Sequence, residues 1–198
     1  MINVGIIGYG YWGPNLVRNF FGQKDCVLKS VADARPNRLE LLAKAYPSVQ
    51  GVLNADGILN DPAIDAVVIA TPVFTHFPLA QKALQNGKHV LLEKPMASSV
   101  QECNILIGLA TQKNLLLMVD HTFLYTGAVE KIKELIDTNA LGNVKYLDST
   151  RINLGLFQPD INVLWDLAPH DLSILRYLHD ETPYSVNATG ISHTHNGI

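Results

Sequence analysis

The sequence predicts an α/β protein whose amino-terminal part is a doubly wound parallel sheet. Short apolar runs alternate with amphipathic helical segments over residues 1–121, as expected when strands are buried on both faces. A glycine-rich turn follows directly on the first of these runs, at residues 8–13. The charged content of 17% is low for a globular protein, and this agrees with extensive burial.

The glycine-rich turn reads Gly-Tyr-Gly-Tyr-Trp-Gly and matches the G-x-G-x-x-G pattern of dinucleotide-binding βαβ units. Gly8 would allow a sharp turn off the strand, Gly10 would let a pyrophosphate approach the backbone, and Gly13 would let the helix pack closely. The phosphates would then lie at the positive end of that helix. Tyr11 and Trp12 lie inside the turn and are predicted neighbours of the cofactor.

The motif alone is equally compatible with a purely structural turn, but the following elements favour nucleotide binding. Pro14 suits the first turn of a helix, and residues 26–32 form the predicted second strand. Asp33 ends that strand twenty residues after Gly13, the spacing expected for the acid that hydrogen-bonds the adenosine ribose. We therefore predict a Rossmann-type nucleotide-binding domain over residues 1–121.

Two arginines bear on the choice of cofactor. Arg35 and Arg38 open a predicted helix that ends before Pro47. Arginine at this place can pair with the 2′-phosphate of NADP, whereas Asp33 would repel that phosphate. We interpret both arginines as part of a solvated helix start, so the sequence favours NAD without excluding NADP.

The predicted strand at residues 64–70 ends in Thr71-Pro72, and His76 lies in the loop beyond. Ligands bind at the carboxyl ends of parallel strands, so Thr71 and Pro72 are predicted neighbours of the nicotinamide half of the cofactor. His76 is a further candidate, although a loop or helix-start role explains it more simply.

The next predicted strand, residues 89–92, runs into Glu93-Lys94-Pro95. The proline restricts the local backbone and the glutamate can hold the ammonium, so the head of Lys94 can be aimed at one point. The alternative is an ordinary surface lysine at a strand end. A helix at residues 98–111, with a capping box at Ser98 and Gln101, and a strand at residues 115–119 complete the predicted sheet.

Residues 122–198 are predicted to begin a second, α+β domain. A helix at residues 127–139 precedes predicted strands at residues 144–152 and 185–193. Asp166 and His170 are four residues apart, so on a helix they share one face and the carboxylate can hold the imidazole in one tautomer. Because a proline fits only the first turn of a helix, Pro169 predicts that the helix begins near this segment. The alternative to a catalytic pair is that Asp166 is the N-cap of the helix and His170 an ordinary hydrogen-bonded polar residue.

The composition limits the classes of partner. The formal charge of −3 gives no electrostatic case for nucleic acid or an anionic membrane. No apolar run approaches the roughly 18 residues that span a bilayer, and no basic segment precedes an apolar stretch at the amino terminus, so a cytoplasmic location is predicted by default. Cys26 and Cys103 have neither the number nor the spacing of a disulfide framework or zinc site, and no metal is predicted.

The combination of the glycine turn, Thr71-Pro72, Glu93-Lys94-Pro95 and the Asp166–His170 pair resembles the glucose-fructose oxidoreductase and inositol dehydrogenase family (Gfo/Idh/MocA). The resemblance implies an NAD(P)-dependent dehydrogenase that acts on a hydroxyl group of a sugar, cyclitol or nucleotide sugar. It implies a cis bond between Lys94 and Pro95, with Lys94, Asp166 and His170 as catalytic residues that also contact substrate. Further predicted contacts to the cofactor or substrate are Glu93, Tyr125, Arg151 and Asn153.

Two alternatives stay open at this point: an NAD-dependent glycosidase of the same fold, and a non-catalytic nucleotide-binding module. A short-chain dehydrogenase is disfavoured, because no Tyr-x-x-x-Lys occurs in the sequence. Family members carry a complete substrate domain on a large open sheet, whereas residues 122–198 are too few for one. We therefore expect a truncated second domain whose open sheet edge near residues 185–193 promotes homo-oligomerisation.

Overall fold

The protein is described by a computed structural model that covers residues 1–152, 161–179 and 181–191. The chain forms two compact units, Met1–Asp120 and His121–Ile198. The first unit contains every strand found in the described residues, and the described part of the second contains helices and segments without regular secondary structure.

The first unit is built on a parallel sheet of six strands: β1 (Ile2–Ile7), β2 (Cys26–Ala32), β3 (Gln50–Val52), β4 (Ala66–Ile69), β5 (His89–Glu93) and β6 (Leu117–Asp120). The strand order is β3-β2-β1-β4-β5-β6, and all neighbouring strands are parallel. The order reverses between β1 and β4, as in doubly wound dinucleotide-binding folds. The predicted fold class is therefore confirmed.

Five helices cover the sheet: α1 (Gly13–Phe21), α2 (Pro36–Ala45), α3 (Asp56–Leu59), α4 (His76–Gln85) and α5 (Val100–Lys113). Successive strand residues point to opposite faces, so the sheet carries two apolar clusters. One cluster packs the sheet against α1 and α2, and the other packs it against α3, α4 and α5. Cys26 and Cys103 are half-buried free thiols.

Several local features differ from the sequence-based predictions. The strand β3 and the helix α3 were not predicted, because elements of three and four residues show no periodicity. The cap of α5 is Ser99, whose Oγ accepts from the backbone N–H of Glu102 at 3.2 Å. The carboxylate of Glu102 in turn accepts from the N–H of Ser98 at 2.9 Å. The predicted capping box is therefore shifted along the chain by one residue.

Polar contacts tie the strands together at the edge of the sheet where they begin. The backbone N–H of Asn3 donates to the carboxylate of Asp65 at 2.8 Å. Lys88 is 4% exposed, and its ammonium donates to the carbonyl oxygens of Asp61 at 2.6 Å and Ile64 at 2.8 Å. Burial lowers the pKa of Lys88. These contacts connect β1, β4 and β5 at the edge opposite the glycine turn.

In the second unit, a short 3₁₀ turn (Thr122–Tyr125) precedes α6 (Gly127–Asp137), and α7 (Val163–Leu178) follows later in the chain. Asn162 caps α7, because its Oδ1 accepts from the backbone N–H of Trp165 at 2.8 Å. Pro169 consequently lies inside α7, and the prediction that it marks the first turn is wrong. None of the helices among the described residues is long and apolar enough to cross a membrane.

The two strands predicted for the second unit do not form in the described residues. Residues 144–152 and 185–191 have no regular secondary structure, and Tyr146, Ile152 and Val186 are 85%, 88% and 87% exposed. A strand needs a neighbour to pair its backbone groups, and the described chain offers these segments none. The open sheet edge on which the prediction of homo-oligomerisation was based is therefore not formed at residues 185–191. Residues 192–193 of the predicted strand lie outside the described part of the chain.

Candidate functional site

The glycine turn joins β1 to α1 through two points of close backbone approach. Gly8 has φ +103°, and a Cβ there would lie 2.3 Å from the carbonyl oxygen of Ala70. Its N–H donates to the carbonyl of Ala32 at 2.8 Å, which fixes the turn on β2. A Cβ on Gly13 would lie 2.5 Å from the carbonyl oxygen of Gly8. Both positions therefore require glycine for the turn to close.

Gly10 differs from the other two glycines, since the nearest atom to a Cβ there is Nη2 of Arg35, at 3.6 Å. The backbone at Gly10 is thus open to an approaching group. Tyr11 and Trp12 are 83% and 41% exposed, and their ring centroids lie 6.5 Å apart. An open glycine at the start of α1 fits the diphosphate of a dinucleotide.

Asp33 lies directly after β2 and its side chain is 5% exposed. Its carboxylate accepts from the backbone N–H groups of Tyr9 at 2.8 Å and Arg35 at 3.0 Å. The side chain of Arg35 adds two bonds, Nε to Oδ1 and Nη2 to Oδ2, both at 2.9 Å. Burial alone would raise the pKa of Asp33, but the hydrogen bonds from Arg35 and Tyr9 lower it to about 2. The predicted ribose-binding acid is therefore ionised.

Arg38 contacts the glycine turn itself. Its Nε donates to the carbonyl of Tyr9 and its Nη2 to the carbonyl of Gly10, both at 2.6 Å. Its Cζ lies 5.5 Å from the centroid of the Tyr9 ring. Their position at a helix start had suggested that Arg35 and Arg38 are solvated. Instead, each donates hydrogen bonds to acceptors near the glycine turn: Arg35 to Asp33, and Arg38 to the carbonyls of Tyr9 and Gly10.

His76 links the loops that follow β4 and β5. It is 1% exposed, with Nε2 2.8 Å from the carbonyl oxygen of Thr71 and Nδ1 2.8 Å from that of Pro95. Which of the two ring nitrogens donates depends on the tautomer of the imidazole. The Thr71–Pro72 loop and the Lys94–Pro95 turn are thereby held together by one side chain.

Glu93 and Lys94 lie at the carboxyl end of β5, and the Lys94–Pro95 peptide bond is cis, as the family resemblance implies. Glu93 pairs in register with Asp120 at the end of β6. Burial and the neighbouring carboxylate of Asp120 raise the pKa of Glu93 to about 7. The sequence analysis did not identify Asp120 as a site residue. Its position at the end of the last predicted strand of the sheet could have indicated that it lies near Glu93.

In the second unit, Asp166 and His170 lie one turn apart on α7. His170 is 9% exposed, and its ring packs edge-on against Phe123, with ring centroids 4.7 Å apart. This packing restricts the imidazole to few orientations. The carbonyl of His170 accepts from the hydroxyl of Ser173 at 2.8 Å.

Arg151, a predicted substrate contact, already has a partner within the second unit. Its Nε and Nη2 donate to the carboxylate of Asp171 at 2.7 and 3.2 Å, and its Cζ lies 4.8 Å from the ring centroid of Phe123. The hydrogen bond from Arg151 lowers the pKa of Asp171. Tyr125 is 66% exposed, and Asn153 lies outside the described residues. Sequence reasoning missed Phe123 and Asp171.

The strand order, the glycine turn and the ionised acid after β2 define a dinucleotide-binding α/β protein. Residues 2–121 match the oxidoreductase family with the NAD-binding Rossmann fold, and the chain belongs to that family. The resemblance to the Gfo/Idh/MocA oxidoreductases is therefore confirmed.

Named relatives and a solved structure agree with this membership. The chain is 32% identical to a UDP-N-acetylglucosamine 3-dehydrogenase of Acidithiobacillus ferrooxidans, over 96% of this chain and 58% of that protein. It is 30% identical to an NADP⁺-linked scyllo-inositol 2-dehydrogenase of Bacillus subtilis, over 83% of this chain and 44% of that protein. It shares the fold of an NAD-binding protein from Listeria innocua, with a TM-score of 0.77 and 24% identity over 90% and 55% of the two chains. The chain thus spans about half the length of these relatives.

Proposed function

We propose that this protein is an NAD(P)-dependent dehydrogenase that acts on a hydroxyl group of a sugar, cyclitol or nucleotide sugar. The observation that carries the proposal is the open Gly10 turn beside the buried, ionised Asp33, in a chain of the NAD-binding oxidoreductase family. The relatives named for nucleotide-sugar and inositol oxidation support the substrate class. When bound, the nicotinamide would accept or supply the hydride.

The residues of this chain would bind the cofactor and manage the proton. The turn around Gly10 would receive the diphosphate, and Asp33 would accept from the adenosine ribose hydroxyls. An imidazole nitrogen of His170 would take the hydroxyl proton as general base, and the carboxylate of Asp166 would support the positive charge on the ring. The Nζ of Lys94 would stabilise the developing alkoxide electrostatically.

Cofactor preference is part of the proposal. The negative charge of Asp33 favours NAD, because it disfavours a 2′-phosphate at the same place. Arg35 beside it can pair with the 2′-phosphate of NADP, the cofactor named for the scyllo-inositol 2-dehydrogenase relative. We therefore assign NAD as the main cofactor, with NADP as a second one that the site accepts.

The test begins with titration of the protein with NADH and, separately, NADPH, followed by quenching of protein fluorescence. Trp12 lies inside the glycine turn and is 41% exposed, so its emission reports binding at that place. The protein is then assayed at 340 nm with NAD⁺ and a panel of UDP-sugars, free sugars and inositols. Net NADH formation supports a dehydrogenase, whereas release of a leaving group without NADH formation indicates the glycosidase reaction.

His170→Ala tests the assignment of the general base. Loss of a general base lowers turnover by about 10²- to 10⁴-fold, while NADH binding should stay intact. His179→Ala is the matched control, because it removes an imidazole that follows the carboxyl end of the same helix. Unchanged turnover in His170→Ala would contradict the assignment.

A further inference from the structure

Phe123 connects the imidazole of His170 to the guanidinium of Arg151. The rings of Phe123 and His170 have centroids 4.7 Å apart and planes inclined at 69°. The Cζ atom of Arg151 lies 4.8 Å from the centroid of the same phenyl ring, within the range of a cation–π contact. One aromatic side chain thus contacts both the proposed general base and a cation.

The side chain of Arg151 is held by Asp171, the residue that follows His170 on α7. Nε of Arg151 donates to Oδ2 at 2.7 Å, and Nη2 donates to Oδ1 at 3.2 Å. The hydroxyl of Ser149 donates to Oδ1 at 2.8 Å. The side chains of Arg151 and Asp171 are 26% and 28% exposed, so water screens their attraction less than that of a surface pair. Residues 149–151 are thereby fastened to α7.

The backbone of Phe123 is anchored as well. Its carbonyl accepts from the backbone N–H of Thr126 at 3.2 Å and from the hydroxyl of the same residue at 2.7 Å. Thr126 directly precedes α6, so the position of the phenyl ring is tied to the start of that helix. The ring that packs on His170 is therefore held both through its own backbone and through Arg151.

An imidazole needs contacts of this kind to keep one orientation. The χ2 torsion of histidine is broad, so a helical backbone alone leaves the ring free to turn. A general base has to keep a ring nitrogen within hydrogen-bond reach of the hydroxyl that it deprotonates. A misplacement of about 1 Å can cost about 10²-fold in rate. The residues that restrict the ring of His170 therefore bear on turnover.

We propose that Phe123 is a positioning residue that fixes the imidazole of His170 for proton transfer, and that the Arg151–Asp171 pair supports the phenyl ring in this role. The inference rests on the proposed function, in which His170 is the general base, and adds to it the side chains that orient this base. Phe123 acts through His170 and needs no contact with the substrate.

The experiment compares Phe123→Leu with the wild type by steady-state kinetics, NADH titration and urea unfolding. Leucine keeps a large apolar side chain but offers no ring to either neighbour. The kcat should fall about tenfold to a hundredfold, because the imidazole turns more freely. The KM for the substrate and the dissociation constant of NADH should stay within about threefold, since neither ligand loses a contact.

Phe20→Leu is the matched control. Phe20 is half-buried like Phe123, but it packs on the apolar cluster of the first unit. The same loss of an aromatic ring there should leave kcat within about twofold of the wild type.

A second comparison separates positioning from a general loss of structure. In the His170→Ala background, Phe123→Leu should change the residual kcat by less than about twofold, because no imidazole is left to orient. A general loosening of the second unit would lower kcat in both backgrounds.

Arg151→Met and Asp171→Asn test the support of the ring without changing Phe123. Each should lower kcat about three- to tenfold and leave KM unchanged, because the phenyl ring keeps its backbone anchor but loses the guanidinium. The two substitutions change the net charge in opposite directions. A fall of kcat in both therefore indicates loss of positioning rather than an electrostatic effect on the imidazole.

Unchanged kcat in Phe123→Leu, or an equal fall of kcat in the His170→Ala background, overturns the inference while the dehydrogenase function stands. Opposite changes of kcat in Arg151→Met and Asp171→Asn also overturn it, and these two variants decide the matter if Phe123→Leu does not fold. If the wild type oxidises none of the substrates, or His170→Ala keeps full turnover, the proposed function fails and the inference fails with it.

Discussion

Glu93 and Asp120 are register partners at the carboxyl ends of β5 and β6. Two carboxyl groups at such close quarters cannot both ionise freely, and one of them keeps its proton to a higher pH. Burial is the larger cause of the raised pKa of Glu93, and Asp120 adds to it. The turn that carries Lys94 therefore begins beside a carboxyl group that titrates near neutral pH.

Glu93→Gln should flatten the pH dependence of stability. The pKa of Glu93 is about 7 in the folded protein against 4.5 for the ordinary group. The folded state therefore holds a proton that the unfolded state has lost, and this contribution is full below about pH 4.5 and disappears as pH rises through about 7. The glutamine variant lacks this decline. Urea unfolding between pH 5 and 8 measures it, with the exposed Glu40→Gln as control, and parallel wild-type and Glu93→Gln profiles would refute the expectation.

Alanine at Gly8 and at Gly10 should separate folding from binding. A Cβ at Gly8 meets the carbonyl of Ala70 at 2.3 Å with φ at +103°, so Gly8→Ala should lower the free energy of unfolding by at least about 2 kcal/mol. At Gly10 the nearest atom is 3.6 Å away, so Gly10→Ala should stay within about 0.5 kcal/mol of the wild type. Gly10→Ala should nevertheless lose NADH binding, because its methyl group blocks the diphosphate. Denaturant unfolding and NADH titration test both, and full NADH affinity in Gly10→Ala would exclude this position from the site.

Removal of the imidazole of His76 should loosen the two loops that it joins. In His76→Phe the ring-nitrogen contacts to the carbonyl oxygens of Thr71 and Pro95 are lost, and a buried polar group left unsatisfied costs about 1–3 kcal/mol. His76→Gln should recover part of the loss, because its amide can donate to one of them. Unfolding measurements give the stability, and amide hydrogen exchange after Pro95 reports the loop. Equal stability of the wild type and His76→Phe would show that the two contacts contribute nothing.

Arg151 and Asp171 should behave as one unit in a double-mutant cycle. Their ion pair is half-buried, so Arg151→Met, Asp171→Asn and the double variant should show a coupling of about 0.5–3 kcal/mol in unfolding. If Arg151 binds the substrate, Arg151→Met would raise KM for the substrate, whereas Asp171→Asn would leave this KM unchanged. Similar kinetics of the two single variants would instead assign Arg151 to the fold.

Long helices and strands with a clear apolar pattern were predictable from the sequence. Short elements, and those that form only by pairing with a distant segment, were not. The bounds of β2 agree with the predicted residues 26–32, because an apolar run follows the helix end at Phe21 and a short polar turn. The strand β3 depends on pairing with β2, which its three residues do not reveal. Pro169 misled the prediction of α7, because the cap at Asn162 lies seven residues earlier. Competition between two local signals decided that helix start.

The candidate site shows the same division. Spacing alone located Asp33, since chain geometry fixes where the second strand ends. The occupation of Asp33 by the side chain of Arg35 depends on rotamers, which no pattern of residue types specifies. The pairing of Glu93 with Asp120 requires the order of the strands in the sheet, and sequence separation conceals it.

The polar ties of Asn3, Asp65 and Lys88 lie at the edge of the sheet where the strands begin. The glycine turn, Asp33 and Lys94 follow strands at the other edge. The residues that fasten the strands where they begin are thus separate from the residues predicted to bind the cofactor and substrate. Gly8 and His76 are exceptions, because their replacement is expected to destabilise the fold. Other substitutions in the predicted ligand-binding loops leave the contacts at the opposite edge intact, so cofactor or substrate preference can change on the same scaffold.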